Sequence, residues 1–420
     1  MQKLVNQNQT STEPSSSAGP VSERIVPKRF RRRSFIAGLG ASTALLLPGA
    51  ALINKALAQS SDDGGGSLTP GDASILRFLA AAEIIESDLW EQYWELANGT
   101  LDFASHNPQP GTTLTATGGN DAYRTALQIL DMDMPTYVLD NTDDEFSHAN
   151  FLLTYLKSKG ANTADLDLLV GPNFRTLVKQ PNGTPISSQA MGSTKKPRLT
   201  NLTQLTFDTS YIGRYRTDNA NPDLGGTNFA NPVPTLNMGK HTAIPRTDDD
   251  TKSQNGKLIN AIAFTAGFHF GSIEVGGTSL YPALAQRVHD PQVLRIVLSI
   301  GPTESMHFQI WQEKAVGANS GNSTPFTVTD PINNSTVTFI DLLTGDGDQE
   351  HLQANLIMPE PCPFLSTSFP ICSIVRPTET EKFATGVVNG LKATGLFMGQ
   401  TPEFFQLLAD LASDADAAKR

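Results

Sequence analysis

Sulfur chemistry has little to work with in this chain. Only two of its 420 residues are cysteine, too few for a disulfide framework, and Cys362 and Cys372 are wrongly spaced for a zinc ribbon. One loop-closing disulfide and a pair of free thiols both stay open. Beyond Ile53 no apolar run approaches the length of a membrane span, so none is expected there. Hydrophobic residues reach only 39%, while 34 glycines and 27 prolines are present. That balance predicts a helical core diluted by long loops, in a chain long enough that burying a core is not limiting.

Positive charge is scarce after position 58. The first 58 residues carry eight Lys or Arg and two Glu, a local +6, so the total of −11 leaves the remainder near −17. A surface this acidic repels nucleic acid and anionic headgroups, so neither is an expected partner, and cations are the more natural ligands.

The basic residues cluster with a purpose. A polar, Ser- and Gln-rich start leads to Arg31-Arg32-Arg33-Ser34-Phe35-Ile36 and then to a weakly apolar run ending at Ile53. This resembles a twin-arginine export signal, with Ala56-Leu57-Ala58 as the small-x-small cleavage site and Gln59 the first mature residue. Residues 1–58 are therefore expected to be removed on export to the periplasm or the medium, leaving a linker at 59–71 and no membrane span.

Apolar periodicity then predicts an all-α protein. One long helix is expected at 74–97, a short one at 122–130, and a second long helix from Pro135 to Lys157, ended by Gly160. Residues 161–254 read as an irregular insertion rich in Asn, Thr, Gly and Pro, with short strands expected within 202–215. Two more long helices are expected at 257–287 and 291–316, with Gly301-Pro302 predicting a kink in the latter. Residues 319–420 should form a loop followed by short helices at 378–396 and 402–412.

Two of the long helices carry the same motif. Glu145 and His148 form Glu-x-x-His in the second, and Glu304 and His307 repeat it in the fourth. Positions i and i+3 share a helix face, so a carboxylate and an imidazole there can bind one ion together. With 15 Glu and 7 His in the chain, chance supplies about a quarter of one such motif, so two are an excess. The first and third helices add glutamates followed seven residues later by an aromatic: Glu83 with Trp90, Glu86 with Tyr93, and Glu274 with Tyr281. Glu83 lies on the apolar stripe of its helix, and Glu86 beside it is the alternative. His269 reads as structural, while His106, His241, His289 and His351 fall in loops without a partner pattern.

The order Glu, Glu-x-x-His, long connection, Glu, Glu-x-x-His resembles the ferritin-like di-metal carboxylate superfamily, especially its exported ferritin-like domain proteins. Their first helix often carries a similar Leu/Phe-rich run into glutamate. The likeness covers roughly 74–157 and 257–316, under half of the chain. It implies a ferritin-like four-helix bundle spanning 72–160 and 255–318, interrupted by the insertion and followed by a C-terminal extension. It also implies two bound ions, with Glu145 and Glu304 bridging, Glu83 and Glu274 terminal, and His148 and His307 each giving one nitrogen.

Mixed oxygen and nitrogen donors without thiolate suit iron or manganese. The expected chemistry is redox work with O2 or peroxide, either ferroxidase-like or peroxide-consuming, in stress protection. A manganese-catalase-like dismutase is one alternative, and an exported scaffold without turnover is another. Iron storage in a closed shell is disfavoured by the long insertion, and a homodimer burying helix faces is a further expectation.

Overall fold

A computed structural model describes residues 66–97, 119–179, 183, 185–207, 243–315, 326–329, 334, 336–339, 358–360, 372–374 and 383–419. The chain divides into Met1–Gly65 and Gly66–Arg420, and every described residue belongs to the second unit. The arginine cluster, the apolar run and the Ala56-Leu57-Ala58 site lie outside the described residues, as do His106, His241, His351 and Cys362.

The described chain is mostly helical: α1 (Pro70–Ala97), α2 (Asp121–Leu130), α3 (Met134–Ser158), α4 (Ala164–Val170), α5 (Asp248–Lys252), α6 (Lys257–Ala285), α7 (Pro291–Ala315), α8 (Phe383–Ala393) and α9 (Pro402–Ala417). Among the described residues, strands are confined to two small antiparallel pairs, β1 (Thr327–Thr329) with β2 (Thr336–Thr338) and β3 (Met358–Glu360) with β4 (Cys372–Ile374). Helix α1 starts four residues earlier than periodicity alone places it. Thr69 accepts a hydrogen bond from the Asp72 amide at 3.1 Å, and Pro70 takes the first helical position, where its missing N–H costs nothing.

The four long helices associate in two antiparallel pairs, α1 with α3 and α6 with α7. In the first pair Glu83 faces His148 while Thr142 reaches the Trp90 carbonyl, so sequence order reverses between the partners. In the second, Glu274 faces His307 and Tyr281 faces Gly301, because the short link after Ala285 turns α7 back along α6. Pro302 does not end α7, which runs on to Ala315 and so keeps Glu304 and His307 one turn apart.

Aromatic packing joins the two pairs. Trp90 of α1 stacks on Trp311 of α7 with centroids 5.3 Å apart and on Phe270 of α6 at 4.9 Å, all three fully buried. Such contacts add about 0.5–1.5 kcal/mol each beyond their buried area. Against the expectation that no run after Ile53 approaches membrane-span length, Asp248–Ala285, which includes α6, is the one stretch among the described residues long and apolar enough to cross a membrane; 78% of its apolar window is buried inside the protein, as in a core helix.

Three further expectations need correction. No strand forms at 202–207, where Leu202–Gln204 is instead a 3-10 turn, and 208–215 lie outside the described residues. Helix α4 occupies part of the stretch read as irregular; at seven residues it is too short to show a helical period. The described parts of 161–254 are also more than an excursion, because they clamp one face of α1. Arg198, 1% exposed, binds Glu91 at 2.7 Å and also reaches Glu95, while Arg175 binds Asp88 at 2.7 Å. Asp88 accepts further bonds from the amides of Leu199 and Thr200 at 3.1 and 3.0 Å. Asp88, Glu91 and Glu95 are thus buried acids with partners.

Candidate metal centre

Helical geometry places the motif residues at one level between the two pairs. Glu83 of α1, Glu145 and His148 of α3, Glu274 of α6, and Glu304 and His307 of α7 converge there, and all four carboxylates are essentially shielded from solvent. They form two overlapping sets, Glu83 with Glu145, His148 and Glu304, and Glu274 with Glu145, Glu304 and His307. Within each set the potential donor atoms lie within 4.8 Å of one another. Donors sharing one ion at about 2.0–2.2 Å stand roughly 3 to 4 Å apart, and the imidazole–carboxylate distances fall in that range. His148 Nδ1 is 3.1 Å from Glu145, 3.4 Å from Glu304 and 3.5 Å from Glu83. His307 Nδ1 is 3.1 Å from Glu145 and 3.2 Å from Glu274.

Glu86, the alternative in the first helix, is not in either set. It is partly buried at their edge, with a solvent-shielded Oε1 that has no hydrogen-bond partner. The aromatics seven residues on do not serve their own helix's glutamate. Tyr281 donates to Glu83 across the helix interface, and Tyr93 pairs with His269 at 2.5 Å, away from the carboxylates. His269 lies outside both sets. Burial holds its pKa down at about 3, so it is a neutral structural imidazole, and His289 sits in the α6–α7 link with its amide on Asp72.

Several supporting residues escaped sequence reasoning. Asn141, 3% exposed, donates one amide hydrogen to Glu145 and one to Glu274, both at 2.9 Å, and accepts the Trp311 indole N–H at 2.8 Å. This pattern fixes which way its amide points. Asp144 holds His307 Nε2 at 3.0 Å, which directs the other ring nitrogen, Nδ1, into the cluster. Asn141 stands one turn before Glu145, and Asp144 immediately precedes it; those spacings were the only signal.

Glycine makes room for the acids. A Cβ on Gly277 would collide with the carboxylate of Glu304, and one on Gly301 would come within 2.6 Å of the Tyr281 Cβ. Gly277 of α6 and Gly301 of α7 are therefore required by close packing around the site.

The electrostatics show an excess of buried negative charge. Burial pushes Glu83 up to about 7 despite the nearby His148. Burial and neighbouring carboxylates push Glu304 and Glu86 well above the usual range, and burial also raises Glu274. Glu145 goes the other way: burial opposes its ionisation, but His148 and His307 outweigh that and hold it low. Both imidazoles are raised, since their carboxylate neighbours outweigh burial. Both oxygens of Glu304 and Oε2 of Glu83 are buried without a hydrogen-bond partner. Unpartnered buried carboxylate oxygens are costly unless a cation or a proton takes them up, and the oxygen-rich, two-imidazole donor set fits transition-metal cations.

No family model, curated protein or solved structure matches this chain.

Proposed function

We propose that the chain is an exported, ferritin-like four-helix bundle that holds two iron or manganese ions and works in redox chemistry with O2 or peroxide. The observation that carries this reading is the pair of overlapping donor sets sharing Glu145 and Glu304. One ion would be held by Glu83, Glu145, His148 and Glu304, the other by Glu145, Glu274, Glu304 and His307. Bound there, the two ions would supply the electron exchange with O2 or peroxide that no side chain of the site provides.

The chain's own residues do the rest. Asp144 keeps the Nε2 proton of His307, leaving Nδ1 free to ligate. Asn141 orients Glu145 and Glu274 with two N–H groups, and the Tyr281 hydroxyl anchors Glu83. The Trp90, Phe270 and Trp311 cluster excludes water on one side, so charge interactions inside are weakly screened.

The test is elemental analysis of residues 59–420 purified without chelator, beside His148→Ala/His307→Ala. Near two Fe or Mn per chain, lost in the double variant, is the expected result. No stoichiometric metal, even after anaerobic reconstitution, would overturn the reading and leave an exported helical scaffold.

A further inference from the structure

A cavity of about 130 Å³ lies beside the carboxylates, between α1, α6, α8 and the stretches around Phe207 and Leu396. Its walls are mainly apolar, with Ile85, Phe207, Ile273 and Leu391 among them. Glu86 lines it as well, and its buried Oε1 has no partner in the protein. The other polar groups of the wall include Glu83, whose Oε1 is taken by Tyr281 while its Oε2 faces His148 in the donor set, and His269, which is taken by Tyr93. The Thr394 hydroxyl is spent on the Leu391 carbonyl at 2.6 Å.

We propose that this cavity binds a small neutral molecule, about one six-membered ring in size, that donates a single hydroxyl to Glu86. Size sets the first limit, since an apolar cavity of about 150 Å³ stays dry and accepts benzene. Charge sets the second. An anion would face Glu83 and Glu86, and any ion would leave its charge among aliphatic walls. The unpartnered Glu86 oxygen supplies the polar contact that fixes orientation, as in small-molecule pockets generally. Binding rests on the cavity alone; that the ligand is also the molecule acted upon rests on the metal reading.

Gly276 offers a place to fill the cavity from its exposed side. It lines the cavity, is exposed, and a Cβ built on it would meet nothing within 4 Å, so a larger side chain can be added there without its Cβ striking the protein. Leucine is also the better helix former, so Gly276→Leu should not weaken α6.

The test is calorimetric titration of residues 59–420 with phenol and with benzoate, with and without added metal. Bound metal is measured on the same samples. Phenol should bind, benzoate at least about tenfold more weakly, and Gly276→Leu and Val387→Phe, the latter in the α8 wall of the same cavity, should each weaken phenol at least about tenfold while melting temperature does not fall and metal content holds. Absence of phenol binding to wild type, equal binding of benzoate, or phenol binding unchanged in both filled variants overturns the proposal. Phenol binding without stoichiometric metal upholds the cavity and removes the metal reading; metal without phenol binding does the reverse.

Discussion

Trp311 donates its indole N–H to the Asn141 carbonyl oxygen at 2.8 Å, and this bond turns both amide hydrogens of Asn141 toward Glu145 and Glu274. An apolar core residue of α7 thereby aims a polar residue of α3 at two carboxylates on different helices. The bond is indirect, but it determines how those carboxylates are presented.

Removing that donor should loosen metal without unfolding the chain. Asn141→Ala is expected to weaken iron or manganese binding about 10–100-fold, the usual cost of losing a group that orients a ligand. Chelator competition measures it, and unchanged affinity would mean that Glu145 and Glu274 are oriented by something else.

Adjacent glycines should behave in opposite ways. Gly277→Ala drives a methyl into the Glu304 carboxylate and should at least halve the bound metal. Gly276→Ala meets nothing and should raise stability by about 0.5–1 kcal/mol through helix propensity alone. Denaturant unfolding and metal analysis of the two variants side by side decide it.

The clamp on α1 gives a stability prediction. Arg198→Met leaves Glu91 and Glu95 without their buried partner and should cost about 3–5 kcal/mol in urea unfolding. Lys196→Met, at a side chain 26% exposed, should cost about 1 kcal/mol or less. Equal losses would show that the clamp acts through packing rather than charge.

The metal-free protein should lose stability as pH rises from about 5 to 8. Glu83 titrates near 7 when folded, against an ordinary value near 4.5, so across that window the native state binds more protons than the unfolded chain. Glu304 and Glu274 act in the same sense. His148 and His307, raised when folded, contribute stability that is full below about 6.5 and declines as pH climbs toward their folded values. Thermal melts of chelator-treated protein should fall with pH and flatten once metal is restored. A melting temperature that rises from pH 5 to 8 would contradict the electrostatic picture.

The repeated Glu-x-x-His motif made much of this site legible, because i,i+3 spacing fixes two side chains on one face whatever the tertiary context. The seven-residue step to an aromatic brings out Glu83, Glu86 and Glu274, and the apolar stripe favours Glu83 over Glu86. That step pairs Tyr281 with Glu274, whereas its hydroxyl reaches Glu83. Seven residues along a helix is about 10 Å, beyond a hydrogen bond, whereas a packed neighbour brings a glutamate within reach. Arg198 and Arg175 gave no periodic signal, since their partners lie about a hundred positions away on α1, and the acids they bind imitate a solvated stripe. Gly277 carries no signal of its role in the sequence, because the acid it accommodates sits on another helix.

The sharing of Glu145 and Glu304 between both donor sets has a consequence for how the centre would fill. Whichever ion arrives first would orient two carboxylates that the other also requires and relieve part of their mutual repulsion. Uptake should then be cooperative, with few half-filled molecules in a titration. Replacing either shared glutamate should empty both positions together, whereas losing one imidazole should leave the neighbouring position weakened but recognisable.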